Sequence, residues 1–273
     1  MTVSRILPPP RALAACVFAA IHRDTRGARL GSQDRINHFP ASPLVAVTAI
    51  RHGTLMLLKE GPPRDRPDAL VPLDAISVTP PSPRPMASWS PGDVEAITVG
   101  FFPDAWLRLG GAPDSSRPPA VIQRAMTALR DRPDADAGWS AFCQQLEPVW
   151  RQHRDESWPP ARHLSDWARN AMSRAARSGR GNSLRTFDRH LKRLSGQTRR
   201  SLDFYTTFEG LHRIAVTEAT GTPADIAALA GYADQSHMGR SVRRATGFSP
   251  AALNHAIRTE EAFWCYRLLG QRF

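Results

Sequence analysis

The stretch GYADQSHMGRSVRRATGFSP, residues 231–250, carries three arginines, three glycines and a proline around a thin set of apolar side chains. Set at about 100° per residue, Met238, Val242 and Ala245 fall on one side of a helix, within about 60° of one another, and form a seam that must be buried. Ser236, Arg240 and Arg243 face the other way. Just upstream, Thr222, Pro223 and Asp225 supply an N-cap, a first-turn proline and an acidic third position, so a helix is predicted from there to Gly231. Ala227 leaves room for the next helix to approach, and Gly231 tolerates the positive φ of a sharp turn. Two helices joined in this way satisfy the helix-turn-helix requirement.

The same unit occurs earlier in the chain. Aligning RTFDRHLKRLSGQT (185–198) with SHMGRSVRRATGFS (236–249) puts Arg189 on Arg240, Leu191 on Val242, Lys192 and Arg193 on Arg243 and Arg244, Gly196 on Gly247, and Thr198 on Ser249, all 51 residues apart. With one residue's difference in loop length, Ala175 and Gly179 answer Ala227 and Gly231. The preceding apolar residues Leu164, Trp167, Ala168, Ala171, Met172 and Ala175 follow a 3.6-residue period and predict an amphipathic helix. Ser183 is a good N-cap for the next helix, which stops at Gly196. Its seam is Phe187, Leu191 and Leu194, and Arg185, Arg189 and Lys192 lie opposite.

A basic helix face is most often merely solvated, and one helix-turn-helix also serves protein interaction. Two copies, with 11 basic and 2 acidic residues between positions 162 and 200, favour a polyanion. Arginine pairs bidentately with guanine, and polar side chains near a helix start reach base edges in a major groove. Gln235, Ser236, His237 and Arg240 in the second copy, and Arg185 and Arg189 in the first, are therefore the base-reading candidates. Lys192, Arg193, Arg243 and Arg244 are the phosphate candidates.

These residues resemble the DNA-binding domain of the AraC/XylS family of bacterial transcription regulators. The run IAALAGYADQSHMGRSVRRATGFSP matches the family pattern of Ala, three residues, Gly, aromatic, any, Asp, Gln, Ser, with the later Arg, basic pair and Gly-x-Ser-Pro. The resemblance covers roughly residues 163–255, about a third of the chain. It implies two subdomains joined by a long helix, here RRSLDFYTTFEGLHRIAVTEA (199–219), that enter successive major-groove segments on one DNA face. Gly239 stands where the family usually has a small polar residue, and Val242 where it has Phe. Gly210 interrupts the connecting helix.

Outward from this region the chain changes character. Residues 1–157 hold 18 basic and 16 acidic side chains, and residues 158–273 hold 18 and 9, so most of the net +11 lies in the C-terminal part. Between Leu44 and Phe102 the short segments LVAVTAI, TLMLL, AISVT and VEAITVGFF read as strands. The proline-rich KEGPPRDRPDALVPLD and TPPSPRPMASWSPGD between them read as loops or edges. Helices are predicted at Ala120–Arg130 and Trp139–Gln152, and Pro159 and Pro160 then mark a boundary. The fold class is therefore α+β. A β-rich, sensor-like N-terminal domain (1–155) precedes an all-α domain (162–273) of two helix-turn-helix subdomains, 164–198 and 222–250, joined by a helix. A stripe through Leu253, Ile257 and Trp264 predicts one more helix closing the second domain. The N-terminal part is weakly similar to the β-rich sensor domains of part of the AraC/XylS family, which implies effector sensing or dimerisation.

Other chemistries find little support. His22, His38 and His52 are spaced without HxH or HExxH, and read as ordinary histidines. No nucleophile elbow, phosphate-cradling loop or dinucleotide fingerprint is present. Cys16, Cys143 and Cys265 form no CxxC, and read as isolated thiols in a reducing compartment. Trp89, Trp106 and Trp139 read as core rather than as pocket lining. LAAC, ending at Cys16, is preceded by prolines and arginines rather than an apolar core, so a signal peptide is not expected. The apolar run Ala12–Ile21 is about half the length of a membrane span. The expected protein is a soluble, cytoplasmic, sequence-specific DNA-binding regulator with no cofactor, metal or catalytic activity. Its expected partner is double-stranded DNA. A small-molecule effector, RNA polymerase and a second copy of the chain remain open as further partners. The alternatives are a DNA-compacting protein without sequence preference and an enzyme housed in residues 1–150.

Overall fold

The computed structural model describes residues 1–58, 70–112, 115–154, 158–177, 183–217 and 222–271. The turn of the first helix-turn-helix around Gly179, the end of the connecting helix at 218–219, most of the loop at 59–69 and part of the boundary segment lie outside these.

Among the described residues, nine strands form two antiparallel sheets. The larger has the order β1 (Val3–Leu7), β2 (Val17–Asp24), β9 (Glu95–Phe101), β4 (Val45–His52) and β7 (Ile76–Thr79); the smaller has β3 (Ile36–Phe39), β8 (Met86–Trp89), β5 (Met56–Leu58) and β6 (Leu70–Pro72). The central strands of the larger sheet are covered on both faces, which is why LVAVTAI and VEAITVGFF read as near-continuous apolar runs. On one face Val45, Val47, Ala49, Ile97, Val99 and Phe101 are buried against helices α2 (Ala120–Arg130) and α3 (Ala135–His153). The intervening residues Ala46, Thr48, Thr98 and Gly100 turn towards the smaller sheet.

Two expectations are corrected here. The stretch TPPSPRPMASWSPGD is not all loop or edge, because β8 lies inside it and is flanked by β3 and β5. Its prolines precede and follow the strand, so none removes a ladder donor. The edge reading holds for β6, which ends in Pro72 at the margin of its sheet. Helix α3 starts at Ala135, a turn before Trp139, because Asp134 caps it by accepting from Ala137 N.

A short helix α1 (Pro103–Arg108) follows the sheet, and after the boundary come α4 (Leu164–Arg177), α5 (Leu184–Ser195), α6 (Arg199–Thr217), α7 (Pro223–Leu229), α8 (Gln235–Thr246), α9 (Pro250–Thr259) and α10 (Trp264–Gln271). The α+β class is as expected, with a β-rich N-terminal part and a helical C-terminal part. The apolar core runs without a break from the larger sheet through α2 and α3 into Trp167, Ala168, Ala171, Ala175 and Leu191 of α4 and α5. Buried Asp104 of α1 accepts from Trp167 Nε1 at 2.9 Å and pairs with Arg174, tying α4 to the strand-bearing part. Desolvation raises the Asp104 pKa, and the Arg174 charge opposes that shift.

The region after Pro250 is two helices rather than one, broken by the 3-10 turn Glu261–Phe263. Leu253 and Ile257 of α9 pack on the second helix-turn-helix. Trp264 leaves it and docks α10 on the strands. Its indole donates to Asn37 Oδ1 at 2.7 Å, the Arg23 guanidinium lies 5.0 Å from its ring, and the Phe39 ring meets it edge-on.

His22, Asp24 and Glu95 bring ligand-type atoms within 4.8 Å of one another. Cations already hold them: Arg51 reaches Glu95 Oε1 at 2.9 Å, Arg26 reaches Glu95 Oε2 at 3.0 Å and Asp24 at 2.7 Å, and Arg5 Nε donates to His22 Nδ1 at 3.3 Å. Arg51 also donates to the carbonyls of Leu129, Arg130 and Arg132, capping the C-terminus of α2. His52 is exposed and stands apart from the cluster. Trp106 is buried and Trp139 stacks on Phe142. Burial pushes the thiols of Cys143 and Cys265 up to about 12 and raises that of Cys16 well above the ordinary thiol value. No helix among the described residues is long and apolar enough to cross a membrane.

Candidate nucleic-acid interface

Helices α5 and α8 are each 12 residues long and start and stop 51 residues apart. Ser183 caps α5 by accepting from Thr186 N, and Asp234 caps α8 by accepting from His237 N. Each helix ends on a left-handed glycine, Gly196 at φ 68° and Gly247 at φ 83°. The following helices repeat the pattern, with Ser201 N donating to Thr198 and Ala252 N to Ser249. In front of α8, Thr222 and Asp225 form a reciprocal capping box and Gly231 turns at φ 79°.

The anchored sides are as expected. Met238, Val242 and Ala245 are buried, as is Leu191, while Phe187 and Leu194 are partly buried against the core. Ala175 and Ala227, at the close approaches, are 1% exposed. Every base-reading and phosphate candidate, Arg185, Arg189, Lys192, Arg193, Gln235, Ser236, His237, Arg240, Arg243 and Arg244, is exposed.

Their freedom differs. Arg185, Arg189, Lys192, Arg240 and Arg243 form no ion pair or side-chain hydrogen bond with a described residue. The Arg244 guanidinium lies 4.1 Å from the ring of Phe204 on α6, a cation–π contact that tethers it to the connecting helix. Arg193 Nη2 approaches His190 Nδ1 at 2.9 Å. His237 meets the edge of Tyr232, whose hydroxyl donates to Ser241 at 3.1 Å, so the aromatic residue of the turn braces the first turn of α8. Ser236, Gly239, Arg240, Arg243, Arg244 and Pro250 line a shallow recess on this face.

Sequence reasoning missed three positioning groups. Glu209, 8% exposed in the connecting helix, accepts from Leu164 N at 2.8 Å and Ser165 N at 3.1 Å, capping α4 from outside its own segment. Ser195 and Thr246 lock the ends of α5 and α8. Ala41, on the segment between β3 and β4, donates to Ala245 O of α8 at 2.7 Å. The first and third depend on partners distant in sequence, and no local pattern announces them.

No family model matches the chain, and no curated protein matches it. Among solved structures, a P21 form of ToxT from Vibrio cholerae is similar at 10% identity, covering 80% of this chain and 93% of that one, with a TM-score of 0.38. ToxT from Vibrio cholerae O395 bound to (E)-4-(8-methylnaphthalen-1-yl)but-3-enoic acid is 10% identical over 80% and 94%, with a TM-score of 0.37. Unsaturated fatty acid bound wild-type ToxT from strain SCE256 is 9% identical over 80% and 93%, with a TM-score of 0.34. At these identities and TM-scores the likeness identifies no family.

Proposed function

We propose that the chain is a sequence-specific regulator of transcription that reads double-stranded DNA with α5 and α8, in the division of labour expected from sequence: residues 1–155 sense an effector or pair with a second copy, and 162–273 bind DNA. The observation that carries this reading is the paired construction of the two helices. Each is capped at both ends by the same devices, buried along one seam and left exposed and cationic along the other. A merely solvated face has no need of two copies held to the same 12-residue frame. Arg185, Arg189, Gln235, Ser236, His237 and Arg240 are assigned to bases. Lys192, Arg193, Arg243 and Arg244 are assigned to phosphates, the last alongside its contact with Phe204. No catalytic role is assigned to any residue.

Selection of bound duplexes from a random pool tests it. The expected product is a motif of two short segments with centres about one helical turn, roughly 10 base pairs, apart. Tight binding with no recovered motif would favour the DNA-compacting alternative. Absence of binding at about 0.1 M salt would sink both, because a face of this charge gains most of its non-specific affinity from released counterions.

A further inference from the structure

Between the two sheets lies a pocket of about 200 Å³. Its wall is aliphatic, with Ile6, Ile21, Leu44, Leu57 and Met86 prominent, and no Asp, Glu, Lys, Arg or His is among the described residues that line it. An ionised ligand would lose its hydration there with no counter-charge to replace it, at a cost of several kcal/mol or more. The polar side chains of the wall are hydroxyls, those of Ser42, Thr48, Thr79, Ser82, Ser88 and Thr98, and on the larger sheet the hydroxyls of Thr48 and Thr98 lie 2.9 Å apart. Their mutual bond uses one of two hydroxyl hydrogens, leaving one donor and spare lone pairs for a guest. An apolar cavity of about 150 Å³ holds benzene, so a pocket of this size suits about eight non-hydrogen atoms.

The pocket also touches the machinery of the helical part. Cys265 and Leu269 of α10 form part of its wall, and α9 and the turn Glu261–Phe263 join α10 to the second helix-turn-helix. Phe39, Pro40 and Ser42 line it, and Ala41 between them donates to Ala245 O at the end of α8. A guest therefore presses on the segment that is hydrogen-bonded to α8 and on α10, which packs on β1, β3 and α9.

We infer that this pocket takes an uncharged, chiefly aliphatic molecule of about eight non-hydrogen atoms bearing one hydroxyl or carbonyl oxygen, and that its occupancy shifts the DNA affinity of α8 through the 39–42 segment and α10. The second half rests on the DNA-reading function proposed above. Coupling follows if the guest favours one docking of α8 over another, and its size is the guest's differential affinity for the two.

The test uses the full chain with 1-heptanol and heptanoate as probes at neutral pH, by calorimetry and by titration of the selected duplex. Heptanol is expected to bind saturably, about tenfold or more tighter than heptanoate, and to change duplex affinity by about fivefold. Ala46→Phe, which fills the pocket, is expected to abolish both effects while leaving duplex binding in the absence of probe. Thr98→Val, a smaller change, is expected to weaken heptanol by about fivefold, and it carries the test if Ala46→Phe does not fold. Equal binding of heptanoate, no saturable binding of heptanol, or binding indifferent to both variants overturns the site. Saturable heptanol binding with unchanged duplex affinity overturns the coupling. A chain that binds heptanol in this way but no duplex at all fails the DNA-reading proposal and leaves the pocket standing.

Discussion

Ser195 and Thr246, 51 residues apart, hold the same place at the end of α5 and α8. Ser195 Oγ donates to Leu191 O at 2.7 Å and accepts from Gln197 N; Thr246 Oγ1 donates to Val242 O at 2.8 Å and accepts from Phe248 N. Both residues are almost fully buried, at 0% and 1% exposure. Each hydroxyl bonds back to the carbonyl four residues earlier, which also accepts the helical amide of the same residue, and satisfies one amide of the chain leaving the helix, so it fixes how the chain departs from the helix end.

Removing either hydroxyl leaves a polar backbone group without its partner. Ser195→Ala and Thr246→Val are each expected to lower stability by about 1–2 kcal/mol in chemical denaturation. The two sites share no hydrogen-bond partner, so the double variant should show about the sum. A loss in one copy alone would mean that the two ends are not equivalent.

Arg240 stands on the exposed face of α8 with no described partner. Arg240→Ala is expected to cost about 1–3 kcal/mol on the selected duplex and to relax base preference at one position. Binding to a random duplex should change far less. Equal losses on both would remove Arg240 from the base-reading set and leave it a phosphate contact.

Lys192 faces solvent one turn from the end of α5. Lys192→Ala is expected to weaken all duplexes alike and to reduce the slope of log affinity against log salt by about 1. An unchanged slope over a salt titration would argue that no phosphate meets this side chain.

Helices α5 and α8 were the most legible part of the chain because their determinants are local. Ser183, Asp234, Gly196 and Gly247 act within one turn of their own helix, and the seams follow a fixed angular step. The same holds for the apolar runs that became β4 and β9. Strand β8 was hidden because Met86–Trp89 is short and sits among prolines whose harmlessness depends on which residues face a neighbour. The pocket was hidden for another reason: its wall combines alternate residues of two sheets with Cys265 and Leu269 from the far end of the chain. Likewise, Trp264 continued a helical stripe in sequence, and only its partner Asn37, 227 residues away, shows that it belongs to a different contact.

Gly239 interrupts α8 without a packing reason. A Cβ built there meets nothing within 4 Å, and the residue lacks the positive φ that would favour glycine. Gly239→Ala is therefore expected to raise stability by about 0.8–1 kcal/mol through helix propensity, measured as a shift in denaturation midpoint at unchanged slope. If the stabilised variant binds the selected duplex more weakly, the DNA comes close to this position, which lies in the recess beside Arg240.

His38 gives the junction between strands and helices a pH dependence of known sign. Its ring stacks on Phe263 at 4.6 Å and meets Phe248 edge-on at 5.5 Å, joining β3 to the segment that leaves α8. Burial lowers its pKa from 6.5 to about 4. Between those values the unfolded chain binds a proton that the folded chain refuses, so stability falls as pH falls through that window and the decline ends below about 4. The loss attributable to His38 is about 3 kcal/mol at most. Burial also lowers His22 and His212, which slope the same way, so the comparison must be with a variant. His38→Phe keeps an aromatic ring between Phe248 and Phe263 and removes the titrating group. Its stability, followed by denaturation from pH 7 to 4, is expected to decline less than that of the unaltered chain. Parallel curves would show that His38 remains protonated on folding and that the stack carries no such linkage.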